Sequence, residues 1–212
     1  MTDAPHRAPA AVTFDAIGAA YQEAFAASEP HRRSLAWLLD RLAPGSRVLD
    51  VGSGTGRPTA ETLVAAGHEV HGLDISPVMV DLATRQVPGA TFECADAREV
   101  SLPQGRFDAV CSYFAMLQMD RSEQTDLVRR MATAVRPSGH VVLATVALEV
   151  EDVEVEFLGQ PVRATSFSTE GFVELAASAG LVVLDRQEVL FTPALPEAGP
   201  EPQLFLYCRR EG

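Results

Sequence analysis

Residues 47–146 repeat one pattern, in which a short apolar run of strand type is followed by a segment with helical spacing and then by the next run. The runs are RVLDV at 47–51, EVHGLD at 69–74, ATFECAD at 90–96, FDAVCSY at 107–113 and HVVLATV at 140–146. Strands that alternate with helices need crossover connections, which produce a mainly parallel sheet covered on both faces. The rhythm therefore predicts an α/β fold.

Helix signals separate these runs. Pro58 to Ala66 is typical of a helix that Gly67 closes. Ser76-Pro77 supplies a capping residue followed by proline at the first helical position. Asp120 and Glu123 have the spacing of a capping box ahead of another apolar helix face.

The amino-terminal part follows a different pattern. We expect residues 1–12, which are rich in Pro and Ala, to be mobile. Phe14, Ile17, Tyr21 and Phe25 recur at helical spacing and predict one amphipathic helix over 13–27. Pro30 suits the first turn of a second helix, so residues 13–43 should form a helical cover.

The carboxyl-terminal part predicts a hairpin and two long strands. Residues 148–166 alternate acidic and apolar side chains around Leu158-Gly159-Gln160, which indicates an inserted hairpin. Its acids are interpreted first as a solvated face, and alternatively as an acidic cover that attracts a cationic ligand. The strands at 181–191 and 203–209 have no helix between them and should pair antiparallel. The sheet is therefore expected to have seven strands, the last antiparallel at or near an edge.

Composition narrows the function. The 212 residues suit one domain over 1–212, and a formal net charge of -12 argues against nucleic acid and against an anionic membrane surface. No run approaches the roughly 20 apolar residues of a membrane span, and the first residues lack a signal-peptide core. The three cysteines, Cys94, Cys111 and Cys208, show no metal spacing. They predict small buried side chains in a cytoplasmic protein that holds no metal.

The stretch VLDVGSGTG at 48–56 marks the candidate site. Ligands of open parallel sheets bind beyond the carboxyl ends of the strands, and glycines there allow positive φ and close approach. A P-loop is excluded because its lysine is missing. A dinucleotide turn would need a small third residue where the chain has Arg57, although Asp74 could still hold a ribose. NAD(P) therefore remains an alternative.

The motifs, taken together, resemble those of class I S-adenosylmethionine-dependent methyltransferases. VLDVGSGTG (48–56) resembles the first motif of that family, HGLDIS (71–76) the second strand and CADA (94–97) the adenine segment. FDAVCSYFAMLQM (107–119) resembles the fourth strand with its turn, and RPSGHVVLAT (136–145) the turn into strand five. The resemblance covers about residues 45–146 and implies a Rossmann-like seven-stranded sheet with an antiparallel last strand and helices on both faces.

The resemblance also implies a cofactor and the residues that bind it. The cofactor would be S-adenosylmethionine, with S-adenosylhomocysteine as product. Its amino-acid end would contact the glycine turn, oriented by Asp50. Asp74 would accept hydrogen bonds from the ribose hydroxyls, Asp96 and the Ala97 amide would contact adenine, and Ile75 and Met79 would flank the ring. The implied cofactor-binding set is Tyr21, Asp50, Gly52, Ser53, Gly54, Gly56, Asp74, Ile75, Met79, Asp96, Ala97, Ser112 and Tyr113.

No catalytic base is identifiable. Methyl transfer from a sulfonium is an in-line displacement, so proximity and orientation would be the main catalytic terms. The chain has Cys111-Ser112-Tyr113-Phe114 where some amino-directed members of the family have Asn/Asp-Pro-Pro-Tyr/Phe, which argues against nucleobase amino groups as acceptors. His31 is interpreted as an exposed residue at a helix start.

The resulting hypothesis is a methyltransferase that acts on oxygen or nitrogen of a small molecule, in a setting such as secondary metabolism. An NAD(P)-dependent oxidoreductase and a non-catalytic S-adenosylmethionine-binding module are the alternatives. The sequence leaves open the acceptor's identity and the choice between a monomer and a homodimer.

Overall fold

The computed structural model describes residues 8–194 and 199–212. The expected mobility of residues 1–12 thus falls partly outside the described chain, and helix formation already begins at Pro9. Seven helices are described: α1 Pro9–Ile17, α2 Ala19–Phe25, α3 Glu29–Leu39, α4 Thr59–Ala65, α5 Pro77–Gln86, α6 Arg121–Ala134 and α7 Thr169–Ser178. The described strands are β1 Arg47–Val51, β2 Glu69–Asp74, β3 Thr91–Cys94, β4 Phe107–Tyr113, β5 Val135–Val146, β6 Val150–Phe157, β7 Gln160–Ser166, β8 Leu181–Phe191 and β9 Glu201–Arg210.

Seven of these strands form one sheet in the order β3-β2-β1-β4-β5-β9-β8. The first five are mutually parallel, while β9 runs antiparallel to both of its neighbours. Because β9 follows β8 without a helix, it turns back and inserts between β5 and β8. The predicted α/β fold, with seven strands and an antiparallel last strand near an edge, is confirmed.

Two apolar cores cover the two faces of the sheet. On one face Leu127 and Met131 of α6 pack with Phe172 of α7. On the other, Leu35 of α3 and Leu63 of α4 pack against alternate side chains of the same strands. Successive side chains of a strand point to opposite faces, so the central strands are apolar on both sides and read as continuous hydrophobic runs.

The amino-terminal segment differs from its prediction. The single helix expected over 13–27 is instead two helices. Gly18 has a φ of 51°, which ends α1 and separates it from α2. Position 18 thus uses a conformation that a glycine adopts without a steric penalty. The break turns α2 so that Tyr21 and Phe25 meet Phe157 of the hairpin.

The hairpin formed by β6 and β7 stands apart from the main sheet as a two-stranded ribbon. Its register shifts between Val150 and Val153, where Asp152 has a φ of 52°. Cys111 and Cys208 are buried as predicted, but Cys94 is exposed. The prediction for Cys94 was wrong because β3 is the edge strand, so its end is not enclosed by a neighbour. Within the described ranges, no helix has the length and apolar character required to cross a membrane.

Candidate active site

A cavity of about 1070 Å³, counted to its open mouth, lies at the carboxyl ends of β1, β2 and β4. The strand order reverses between β1 and β4, so the cavity occupies the switch point of the sheet. We call it the rim cavity. Its wall contains ten residues of the set implied by the sequence: Tyr21, Asp50, Gly52, Ser53, Gly54, Asp74, Ile75, Asp96, Ala97 and Tyr113.

The glycine turn lines the floor of the rim cavity. The backbone N–H groups of Gly52 and Ser53 donate to the Leu73 carbonyl at 2.7 and 2.9 Å, which folds the turn against β2. Gly52 has a φ of 74°, and a Cβ added there would lie 2.1 Å from the Cβ of Ala115. Gly54 has a φ of 51°, and a Cβ there would meet nothing within 4 Å. The turn is therefore packed at its first glycine and open at its second.

Asp74 fixes the geometry of this turn. Its Oδ2 accepts the N–H of Gly54 at 2.8 Å and its Oδ1 accepts the N–H of Ser76 at 2.9 Å. Burial raises the pKa of Asp74, and the two backbone donors oppose that rise. Each carboxylate oxygen has a second lone pair, so Asp74 can still accept a hydrogen bond from a hydroxyl in the cavity.

Asp50 is the least satisfied polar group of the site. Its Oδ1 accepts a hydrogen bond from the Cys111 thiol at 3.6 Å, whereas its Oδ2 has no partner among the described residues. Burial, together with the nearby charge of Asp74, raises the pKa of Asp50 to about 7. A buried acceptor without a partner is costly. This oxygen is therefore suited to a donor or a cation brought by a ligand.

Asp96 is held by an arginine that the sequence analysis did not identify. Arg98 Nη2 lies 2.7 Å from Asp96 Oδ2 and Arg98 Nε lies 3.0 Å from Asp96 Oδ1, a bidentate pair. The guanidinium lowers the pKa of Asp96, and its Nη1 also reaches Glu123 Oε1 at 2.8 Å. Asp96 thus lines the rim cavity as an ionised carboxylate fixed by Arg98.

The opposite wall is built from α3 and β4. The rings of His31 and Tyr113 contact each other with centroids 3.9 Å apart and planes tilted by 32°, and His31 Nε2 lies 3.0 Å from Thr59 Oγ1. Burial and the charge of Arg32 lower the pKa of His31 to about 3, so the imidazole is neutral. The expectation of an exposed His31 was wrong, because α3 turns this residue toward β4. The Tyr113 hydroxyl is also engaged, at 3.0 Å from Ser34 Oγ.

Three residues of the implied set do not reach the rim cavity. Gly56 packs inside the protein, where a Cβ would lie 3.1 Å from both Phe92 and Val87. The Met79 side chain is buried behind the first turn of α5. Ser112 points away because side chains alternate along β4, which places it on the face opposite Tyr113. The turn after β4 instead contributes Phe114, Ala115, Gln118 and Met119 to the wall.

A second cavity, of about 1180 Å³, adjoins the first. We call it the apolar cavity. Its wall comes from the amino-terminal helices, the turn after β4 and the inner face of the hairpin. Phe14, Tyr21, Phe114, Ala115 and Gln118 line both cavities. The side chains that line the apolar cavity but not the rim cavity include Phe25, Leu117, Leu148, Val153, Val155, Phe157 and Val162.

The chemistry of the rim cavity is that of a site for a ligand without phosphate. Its wall offers three carboxylates, open backbone at Gly54 and two arginines. Arg57 lies 2.9 Å from Glu61 and Arg98 is paired with Asp96, so each arginine of the wall already faces a carboxylate. In the described part of the chain, Ser53 Oγ and Thr55 Oγ1 of the wall are buried without partners, like Asp50 Oδ2. A cationic ligand in the rim cavity would satisfy Asp50 Oδ2.

Comparison with known proteins agrees with this geometry. Residues 48–139 match the family model described as a methyltransferase domain. The chain is 33% identical over 157 residues to a 2-methyl-6-phytyl-1,4-hydroquinone methyltransferase of Synechocystis sp., over 68% of this chain and 49% of that protein. It is 30% identical over 178 residues to a 27-O-demethylrifamycin SV methyltransferase of Amycolatopsis mediterranei, over 78% of this chain and 60% of that one. The chain therefore spans half to three fifths of these relatives.

The fold has a solved counterpart in 1,6-didemethyltoxoflavin-N1-methyltransferase of Burkholderia thailandensis, whose crystal structure contains 1,6-didemethyltoxoflavin and S-adenosylhomocysteine. The TM-score is 0.72 at 22% identity, with 100% of this chain and 94% of the other covered. The fold and the rim cavity define a Rossmann-like α/β protein with a ligand site at the switch point of its sheet. The chain belongs to the class I S-adenosylmethionine-dependent methyltransferase family.

Proposed function

We propose that the protein transfers a methyl group from S-adenosylmethionine to oxygen or nitrogen of a small, largely apolar acceptor. The observation that carries the proposal is the pair of adjoining cavities. One has buried carboxylates around an open glycine turn, the other is apolar, and they share the wall formed by Phe14, Tyr21, Phe114, Ala115 and Gln118. Such a pair can hold a polar methyl donor and an apolar acceptor against one another.

The residues of the rim cavity fit S-adenosylmethionine. Asp50 Oδ2 would accept a hydrogen bond from the ammonium group of the cofactor's amino-acid end. The positive charge would stabilise the ionised carboxylate. Asp74 would accept hydrogen bonds from the ribose hydroxyls, and Ile75 and Ala97 would contact the adenine end. Asp96, being held by Arg98, would accept a donor from the adenine edge in a fixed orientation.

When bound, S-adenosylmethionine supplies an activated methyl group on a sulfonium sulfur. The chain's own contribution is then to position the acceptor and to exclude water. Phe14, Tyr21 and Phe157 close over the apolar cavity with ring centroids 6.1 to 6.4 Å apart. His31 is already hydrogen-bonded to Thr59 and in contact with the Tyr113 ring. Its place in the rim cavity is consistent with a role in shaping the donor site.

The oxidoreductase alternative is less well supported by the same geometry. A bound pyrophosphate would need free backbone N–H groups at the glycine turn. Those of Gly52 and Ser53 donate to Leu73, and that of Gly54 donates to the carboxylate of Asp74. An anion at that turn would therefore compete with a buried carboxylate. A non-catalytic binding module would have the same rim cavity. Only a methyl-transfer assay can distinguish it from an enzyme.

Two measurements test the proposal. Calorimetric titration should show S-adenosylmethionine and S-adenosylhomocysteine binding in a one-to-one ratio, with no comparable heat from NAD or NADP. A methyl-transfer screen with small amines, phenols and hydroquinones should then yield a methylated product. Binding of NAD in place of S-adenosylhomocysteine would overturn the cofactor assignment. Binding of S-adenosylhomocysteine without transfer to any acceptor would favour the non-catalytic module.

Cellular placement is part of the same proposal. Cys111 and Cys208 are buried on different strands, and the described residues contain no disulfide. This usage supports the cytoplasmic location inferred from the sequence. A fusion to a fluorescent reporter, fractionated against periplasmic and membrane markers, would test it, and recovery of the fusion with the membranes would contradict it.

A further inference from the structure

The apolar cavity contains a carboxylate that the proposed function does not use. Glu201, the first residue of β9, lines this cavity and is partly buried. Its Oε1 accepts a hydrogen bond from Gln203 Nε2 at 2.7 Å. Across residues 8–194 and 199–212, no arginine, lysine or histidine lies within salt-bridge distance of Glu201. The negative charge in this wall is therefore not neutralised by a described cation.

Aromatic rings surround the same space. Phe157, near the tip of the hairpin, has its ring centroid 6.4 Å from both Phe14 and Tyr21 and 6.3 Å from Phe25. All four rings line the apolar cavity together with Glu201. Ring faces carry partial negative charge and attract cations, especially where water is excluded. Rings and carboxylate therefore present the same electrostatic preference.

Glu201 lies near the wall that the two cavities share. Tyr21 lines both cavities, and after burial the charge of Glu201 is the largest cause that raises the pKa of Tyr21. Burial also raises the pKa of Glu201, which makes its carboxylate a better proton acceptor. Glu156 is the other acid of this wall, but it is solvent-exposed and its charge is screened.

We propose that the methyl acceptor is an amine with an aromatic or apolar body, and that Glu201 binds its nitrogen. The inference rests on the proposed methyl transfer. The neutral nitrogen forms a bond to the methyl carbon while the carbon–sulfur bond breaks and its electron pair stays on sulfur. Before this step the bound ammonium gives one proton to the Glu201 carboxylate, which releases it to water, and the methylated nitrogen leaves as an ammonium that keeps its remaining protons. A phenolate acceptor is disfavoured, because the same uncompensated carboxylate would repel it.

The test uses two probes of nearly the same shape, tryptamine, which carries an ammonium group, and tryptophol, which carries a hydroxyl. Each is titrated into the wild-type protein saturated with S-adenosylhomocysteine. We expect the amine to bind about tenfold more tightly than the alcohol. Glu201→Gln should remove most of this preference, because only the rings then favour the cation. Glu154→Gln, an exposed acid of β6 outside the cavity wall, should keep it.

Equal binding of the two probes to the wild type, no measurable binding of tryptamine, or a preference of unchanged size in Glu201→Gln would each overturn the inference. If Glu201→Gln does not fold, the comparison of the two probes on the wild type still tests whether the site prefers an amine. The titration with S-adenosylhomocysteine separates the two proposals. Failure of the wild type to bind it counts against the proposed function, whereas normal binding without a preference for the amine counts against the amine acceptor alone.

Discussion

At the scale of single residues, the site combines two buried carboxylates with opposite degrees of satisfaction. Asp74 accepts two backbone N–H groups and holds the glycine turn in place. Asp50 keeps one oxygen without a partner at the floor of the rim cavity. The first carboxylate stabilises the local structure, whereas the second costs folding free energy that a cationic ligand would return. Asp74 thus positions the turn and keeps capacity for a ligand hydroxyl, whereas Asp50 Oδ2 has no protein donor among the described residues.

Asp50 should make the stability of the unliganded protein depend on pH. Its pKa is about 7 in the folded state and 3.8 in the reference state, so the unfolded chain ionises first as the pH rises. Below pH 4 Asp50 is protonated in both states and costs no stability on this account. Between about pH 4 and pH 7 only the unfolded chain ionises, so the folded state loses stability relative to it. At about 1.4 kcal/mol per pKa unit, the loss approaches about 4 kcal/mol. Urea unfolding at several pH values checks this for the wild type and Asp50→Asn.

The variant should gain stability over the wild type as the pH rises from 5 to 8, while binding S-adenosylhomocysteine more weakly. Asp81→Asn, an exposed acid of α5, is the matched control and should show neither effect. A constant difference in the free energy of unfolding between wild type and Asp50→Asn across this range would contradict the assignment.

The two glycines of the turn should respond differently to alanine. Gly52→Ala places a Cβ 2.1 Å from that of Ala115 at a φ of 74°, so we expect a loss of about 3 kcal/mol or more in unfolding free energy. Gly54→Ala meets no neighbour within 4 Å and should lose only about 1 kcal/mol for its positive φ. Chemical denaturation of both variants tests the order, and equal losses would show that the turn can shift.

At the scale of elements, the amino-terminal helices are tied to the sheet through helix caps. Ser76 caps α5 by accepting the N–H of Met79 at 3.1 Å, and its hydroxyl donates to Asp15 of α1 at 2.7 Å. Ser76 also donates its N–H to Asp74. One buried serine thus joins the site, the start of α5 and the first helix. A change at Ser76 should therefore affect both the carboxyl end of β2 and the amino-terminal helices.

Ser76→Ala should lower the free energy of unfolding by about 1–2 kcal/mol, because α5 loses its cap and Asp15 loses a donor. Thr84→Ala removes an exposed hydroxyl from the same helix and should change it by no more than about 0.5 kcal/mol. Thermal or urea unfolding of the two variants provides the comparison. If the free energy of unfolding falls no more in Ser76→Ala than in Thr84→Ala, the cap does not stabilise this fold.

At the scale of the whole molecule, a rigid sheet carries a cover assembled from distant parts of the chain. Phe157 of the hairpin meets Phe14 of α1 and Phe25 of α2, and Phe25 stacks on Phe191 of β8 at 6.0 Å. These rings are partly exposed, whereas the base of the hairpin is fixed by hydrogen bonds of Thr165 with Leu117 and Gln124, so the aromatic contacts hold only the tip of the cover. The cover is therefore the part that can open without disturbing the core.

Phe157→Ala should loosen this cover selectively. We expect faster hydrogen exchange in α1, α2 and the hairpin, with unchanged protection in β1, β4 and β5, because only the aromatic contacts between the covering segments are removed. Leu190→Ala, which truncates a side chain 72% exposed, is the control and should leave exchange unchanged. Uniformly faster exchange throughout the protein would instead place Phe157 in the global core.

The sequence alone determined the order of elements and most of the rim. Apolar runs, caps and glycines act within a few residues of chain, so β1, β2, β4 and β8 begin and end where their patterns indicate. The acids at strand ends follow from the same logic, because the carboxyl ends of parallel strands meet at one edge. These signals are local, and local signals survive without knowledge of the tertiary fold.

Only the tertiary structure decided which of these side chains meet. Gly56 and Met79 pack inside the protein. The pairing of Arg98 with Glu123, the contact of His31 with Tyr113 and the placement of Glu201 at the apolar cavity join elements far apart in sequence. Helix rotation, strand alternation and packing set these contacts, and each depends on the whole fold at once. A sequence pattern gives the period of a helix or strand, but it does not say which other element each face will pack against.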